Sequence, residues 1–267
     1  MMRTTLLSAG SVVAIVAIVA VVGIAVASAA CGDPPPPPPP PDPPAIEAVC
    51  TEPTTVACID QAEQGLSMTP NDPTPGAIDD AKTGDHFHAK IDATAGGGAF
   101  DATQGYVYAK FTKDGLVKVE QTDDESFQSM DWDISFRRFV ILLNGGSAGP
   151  SCVAAARTKA GTTFAGLTSV DDSELTYNEE KFMNADCSET FDGGIGGPQS
   201  VLANYYDYTG CLHMSHNVYV VRLADGHHVK LEVTAFYGAG QDTCEQDDTV
   251  PTPDTSASME LDWAFLD

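Results

Sequence analysis

The run Met130-Asp131-Trp132-Asp133-Ile134-Ser135-Phe136-Arg137-Arg138-Phe139-Val140-Ile141-Leu142-Leu143-Asn144-Gly145-Gly146 decides how this chain is to be read. Side chains of an extended backbone alternate between two faces, which places Trp132, Ile134, Phe136 and Arg138 on one face and Asp133, Ser135, Arg137 and Phe139 on the other. The run predicts a strand that stops and turns at Asn144-Gly145-Gly146, where residues tolerant of positive φ replace β-branched and aromatic ones. Asp133 and Arg137 share a face of that strand. Because a buried charge without a partner is costly, they invite a charge pair or a polar ligand, and a structural pair is the simpler reading.

The flanking segments repeat the pattern. Upstream, Phe87, Ala89 and Ile91 alternate with His86, His88, Lys90 and Asp92, Gly105 to Phe111 forms a second run, and Asp114-Gly115 turns the chain into Leu116 to Val119. Downstream, Val201 to Tyr208 and Asn217 to Leu223 read as strands, Asp225-Gly226 makes a hairpin with His227 to Val233, and Met259, Leu261, Trp263 and Phe265 alternate in a closing strand. No long amphipathic helix occurs. The expectation is an all-β, antiparallel domain over residues 85–267 with little helix. Residues 49–84, broken by Pro70, Pro73 and Pro75, read as an irregular arm pinned by a disulfide.

Residues 1–30 read as an export signal: Arg3 supplies a short positive start, Leu6 to Ala27 is almost wholly apolar, and Ala27-Ser28-Ala29-Ala30 closes the segment with small residues. Cys31 follows directly and precedes Gly32 and the prolines 34–41. This resembles the lipobox and tether of a bacterial lipoprotein, with Ser28 where that pattern prefers Leu. Residues 31–48 are therefore expected to be a lipidated cysteine and an extended polyproline spacer. The expected location is the cell envelope, as an outer-membrane lipoprotein held to the membrane through a lipid anchor; ordinary cleavage to a secreted protein and an uncleaved anchor are the alternatives. A net charge of −25 makes nucleic acid an improbable partner.

Six cysteines remain after Cys31, an even number in an oxidising compartment, which predicts three disulfides. Closeness in sequence favours Cys50 with Cys58. A metal centre is less favoured, since no Cys-x-x-Cys occurs and no Cys lies at zinc-finger spacing from a His; His86 and His88, two apart on one strand, make a weak chelate. Gly145 to Gly149 is as glycine-rich as a phosphate cradle but lacks its Lys-Ser/Thr signature. With no nucleophile elbow, metalloprotease helix or paired carboxylates, the chain is not expected to be an enzyme.

In order, Tyr106 to Phe111, Asp114-Gly115, Asp131 to Arg138, Asn144-Gly145-Gly146, Tyr205-Tyr206, Tyr219 to Arg222, Asp225-Gly226, Val229-Lys230-Leu231 and Phe236-Tyr237 resemble the HmuY family over roughly residues 85–267. The resemblance implies an exported haem-binding lipoprotein with a two-sheet, all-β fold. It also implies an iron held by two His or Met side chains, whose lone pairs suit it. One family ligand occupies the place after Trp-Asp-Ile-x-Phe, which here is Arg137, a guanidinium with no lone pair to offer. Arg137 would instead pair with a propionate. Met183 is the candidate for the downstream ligand, and His213 and His216 are further candidates. Two functions therefore stand: capture of haem or another tetrapyrrole with a changed ligand set, or a module of the same fold that has lost haem and binds another small ligand or a protein partner.

Overall fold

The structure, a computed structural model, describes residues 46–68, 72–94, 105–190 and 198–266. The expected leader, Cys31 and the proline run lie outside these residues. In chain order the strands are β1 (Ile78–Thr83), β2 (His86–Asp92), β3 (Val107–Thr112), β4 (Gly115–Val119), β5 (Ile134–Arg137), β6 (Val140–Leu143), β7 (Ala154–Arg157), β8 (Tyr206–Tyr208), β9 (Leu212–Met214), β10 (Val218–Arg222), β11 (His228–Ala235) and β12 (Ser258–Phe265). Among the described residues three short α-helices accompany them: α1 (Ile59–Gly65), α2 (Asp123–Ser126) and α3 (Gln241–Asp247). The strands form a six-stranded sheet in the order β1-β2-β12-β11-β10-β7, a four-stranded sheet in the order β4-β3-β5-β6, and the ribbon β8-β9. Every paired strand is antiparallel.

Alternation along the strands builds the main core. Phe87, Ala89 and Ile91 of β2, Val229, Leu231 and Val233 of β11, and Met259, Leu261 and Trp263 of β12 meet Val107, Ala109, Phe111, Ile134, Phe136, Ile141 and Leu143 of the smaller sheet. Trp263 joins the two layers, stacked on Phe87 at 4.5 Å between ring centres and tilted against Phe111 at 5.0 Å. Asp80 of β1 ties the same corner, accepting from the Leu116 amide at 2.5 Å and from Trp263 Nε1 at 3.4 Å.

The opposite face of the smaller sheet is buried as well. Tyr106, Tyr108, Trp132, Val140 and Leu142 pack with Val56, Ala62 and Leu66 of the arm and with Phe127, Phe182 and Met183. A sheet covered on both faces needs apolar side chains pointing both ways, which accounts for the unbroken run Val140-Ile141-Leu142-Leu143. It also corrects the reading of residues 49–84 as irregular: the arm contributes α1 to the second core and β1 to the edge of the large sheet.

Three further expectations change. The single strand through Arg137 is a tight hairpin, because Arg137 pairs with Val140 and only Arg138-Phe139 connects β5 to β6. Arg138 takes φ 54°, its amide donates to Ala93 O at 2.7 Å, and Phe139 O accepts from the Tyr205 hydroxyl at 2.9 Å. Tertiary contacts, not turn-forming residues, hold this bend. Residues 201–208 are strand only at Tyr206–Tyr208, after a 3-10 turn at Ala203–Tyr205. Cys50 does not pair with Cys58: the disulfides are Cys50–Cys152, Cys58–Cys187 and Cys211–Cys244. The arm runs across the smaller sheet, so each of its cysteines meets the structure beneath it instead of its sequence neighbour. The amides of Val49 and Cys50 donate to Ala224 O, and that of Thr54 to Pro150 O.

The turn expected at Asn144-Gly145-Gly146 is present and tightly built. Asn144 is fully buried, its side-chain amide donates to Ser129 O and Trp132 O, and its Oδ1 accepts from the Ser151 amide. Gly146 has φ 59°, and a side chain there would collide with Glu180 O. Glycine is thus required twice over at this position.

Candidate functional site

Arg137, at the end of β5, lies on the face of the smaller sheet that the arm covers. Its guanidinium sits 4.5 Å from the centre of the Tyr106 ring. It donates to Ser67 O at 3.0 Å and also to Leu66 O, the carbonyls that close α1. Asp133 does not pair with it; that carboxylate is buried and accepts from the Phe111 amide at 2.9 Å. The expected Asp133–Arg137 pair is therefore corrected. Arg137 ends β5 at the hairpin bend, where a cation finds carbonyl dipoles and an aromatic face, while Asp133 lies just before the other end of the strand.

Tyr106 is buried beneath Arg137, and its hydroxyl has no hydrogen-bond partner among the described residues. Burial pushes the phenol up to about 12, with Arg137 opposing. Met68, one residue beyond the Arg137 clamp, packs against the same core. Neither Tyr106 nor Met68 stands out in the sequence, because nothing in their spacing from Arg137 announces a contact across some 30 or 70 positions of chain.

Met183 belongs to this core too and is nearly buried. It lines an open groove of about 580 Å³ with Ala57, Cys58, Ser147, Tyr177 and Lys181 as neighbours. Among the described residues no His lines that groove. Its floor includes Glu180, whose carboxylate accepts from the amides of Leu143 and Val201, both at 3.0 Å. Burial raises this carboxyl to about 8 against those two hydrogen bonds, and burial likewise raises Asp133 to about 6.

A raised carboxyl favours folding fully below its unfolded value and loses that contribution as pH climbs through the folded value. Stability from Glu180 therefore falls between about pH 4.5 and pH 8. We expect urea midpoints to decline across that window by the equivalent of about 2–4 kcal/mol. In Glu180→Gln the decline shrinks to the part that Asp133 supplies. An unchanged slope in that variant would show Glu180 to be ordinary.

His213 and His216 belong elsewhere, in β9 and in the connection to β10. His213 Nδ1 is 3.1 Å from Glu245 Oε2 and its Nε2 is 2.8 Å from Asp248 Oδ1. His216 Nδ1 is 2.8 Å from Glu232 Oε1. The structure thus brings Arg137 and Met183 to one core and leaves the two histidines against acidic partners on other elements. His86 contacts Asp85 and the Phe164 ring, whereas His88 lies between Asp262 at 2.8 Å and Glu260 at 3.3 Å; each has its own partners. Cys31 lies outside the described residues.

A family model described as HmuY protein matches residues 102–246. Similar solved structures include a chain described as an HmuY-like heme binding protein of Bacteroides vulgatus ATCC 8482, at 19% identity and TM-score 0.41, covering 67% of this chain and 91% of that one. A chain described as a lipoprotein of Bacteroides fragilis NCTC 9343 matches at 12% identity and TM-score 0.38, covering 69% and 91%. The apo HmuY analog of Tannerella forsythia matches at 13% identity and TM-score 0.36, covering 73% and 98%. No curated protein matches the chain.

Proposed function

The chain belongs to the HmuY family, and from that premise we propose that it is an exported binding protein that captures haem or a related tetrapyrrole in the groove beside Met183. The observation that carries the reading is the position of Met183, the only His or Met among the described residues lining a groove of about 580 Å³. A volume in that range suits a small organic ligand. A thioether is a known axial donor to haem iron, and Lys181 in the same groove offers a cation for a propionate. The fit is one-sided. Arg137 supplies no lone pair, and its donors are held by Leu66 and Ser67.

That clamp supports the second reading, a module of this fold that has lost haem and takes another small ligand or a protein partner. The leader and Cys31 support placement at the cell envelope through a lipid anchor, with a secreted form as the alternative. Membership of the HmuY family supports a binding role over catalysis.

Titration of the purified chain with haem, in parallel with iron-free protoporphyrin, tests the proposal. We expect a saturable Soret shift at one haem per chain, and a loss in affinity of about tenfold or more in Met183→Ala, or about 1.4 kcal/mol. Equal loss with both pigments would place Met183 in the wall of the groove and not on the iron. A parent chain without a saturable shift, alongside an Arg137→His variant that gains one, would sink capture of haem and leave the second reading.

A further inference from the structure

Cys211, immediately before β9, and Cys244, in α3, are both fully buried and joined by a disulfide. Unlike the other two bridges, this one has an imidazole against it. His213 Nε2 stands 3.6 Å from Cys211 Sγ, and the ligand atoms of Cys211, His213 and Cys244 all lie within 4.8 Å of one another. In a tetrahedral zinc site with Zn–S of about 2.3 Å and Zn–N of about 2.0 Å, a sulfur and a nitrogen are about 3.5 Å apart. The separation seen is that of two corners of such a site. Among the described residues no other three His, Cys, Asp or Glu side chains come together in this way.

Three further features point the same way. His213 lies between two carboxylates, Glu245 Oε2 3.1 Å from Nδ1 and Asp248 Oδ1 2.8 Å from Nε2, and the tautomer with its proton on Nδ1 is the one that leaves Nε2 a lone pair for a metal. Carboxylate, histidine and metal in that order is the usual outer arrangement of a zinc site. Asp248 Oδ1, 2.8 Å from Nε2 and exposed to solvent, lies outside the close trio of Cys211, His213 and Cys244 and would swing inward to serve as a fourth ligand. Finally, α3 is held to β9 without the disulfide. Gln241 donates to Leu212 O at 2.9 Å and accepts from the Phe236 and Tyr237 amides, and Glu245 Oε1 accepts from the Met214 amide at 2.8 Å. Opening the bridge therefore leaves the two sulfurs facing each other.

We propose that Cys211, Cys244, His213 and Asp248 form a latent zinc site, which a dithiol reductant opens and a divalent zinc ion then occupies. The balance is simple. The dithiol gives two electrons and two protons to the Cys211–Cys244 bond and becomes a disulfide itself, leaving two thiols. Zinc then displaces both thiol protons and forms two Zn–S bonds. Metal and disulfide become alternative staples between α3 and β9, so this part of the fold stays closed in either redox state. The site is independent of the groove at Met183, and loss of either reading leaves the other standing.

Cobalt(II) reports such a site through a thiolate charge-transfer band in the near ultraviolet and the visible bands of tetrahedral cobalt. The full chain is treated anaerobically with a dithiol, freed of it, and titrated with cobalt(II) and then zinc. We expect one cobalt per chain with both sets of bands, bleached by one equivalent of zinc. The bands are absent in Cys211→Ser/Cys244→Ser, which keeps the other five cysteines as internal controls. Affinity falls about tenfold to a hundredfold in Glu245→Gln, the usual effect of an outer partner, and further in His213→Ala. Circular dichroism follows folding throughout. Bands that persist in the double serine variant, affinity indifferent to His213→Ala, or loss of β structure on reduction before metal is added would each overturn the proposal.

Discussion

Replacing Cys58 and Cys187 by serine lowers the stability of the chain by about 2–5 kcal/mol, and doing the same at Cys50 and Cys152 removes a similar amount. The bridges close loops of 129 and 102 residues, long enough for the denatured chain to gain much freedom when they are cut. The folded state loses as well. With the staples gone, Val56, Ala62, Leu66, the Arg137 clamp and a few backbone hydrogen bonds are left to hold residues 46–68 over Tyr108, Trp132 and Leu142. Against a total of about 5–15 kcal/mol for a typical domain, this is a large share. Urea unfolding of the two double variants measures it, and limited proteolysis should cut residues 46–68 first. If stability changed by less than about 1 kcal/mol, the arm would be a tether lying on the domain and not a part of its second core.

Trp263→Ala has a comparable effect from a single position, a loss of about 3–5 kcal/mol. Trp263 is fully buried, packed between Phe87 of its own sheet and Phe111 of the facing one, and linked through Nε1 to Asp80. Truncation opens a cavity where the two sheets meet and also takes a donor from a half-buried carboxylate. Trp263→Phe keeps most of the ring volume and loses the hydrogen bond with a small part of the packing, so its cost should be about 1–2 kcal/mol. Thermal or urea midpoints of the two variants separate packing from the polar link. Equal losses would mean that the bond to Asp80 carries the effect.

Much of the architecture is legible in the chain itself. Alternation in residues 86–92, 228–235 and 258–265 marks the strands of the large sheet and their inward faces, because a pleated backbone half buried against a core leaves that period in any sequence. The Asp114-Gly115 and Asp225-Gly226 turns fall where expected, since Gly115 and Gly226 take φ 141° and 90°, which few other residues adopt. The lack of an iron-binding lone pair at Arg137 is equally plain from its chemistry alone.

Other features have no local signature. The bend at Arg138-Phe139 lies in a run with no turn residue, and is fixed by Ala93 and Tyr205 from distant parts of the chain. The burial of both faces of the smaller sheet removes the period that marks a half-exposed strand, so two strands read as one. The arm looks irregular because its partners are the sheet beneath it, reached through Cys152 and Cys187, about 100 or more residues away. His213 reads in the sequence only as a further candidate ligand, and the docking of α3 onto β9 sets it against Cys211, Cys244, Glu245 and Asp248. Sequence by itself determined which segments are strands and what each side chain is able to do. Tertiary structure decided which of those side chains meet, because contacts made across a hundred residues leave no period or spacing in the chain that makes them.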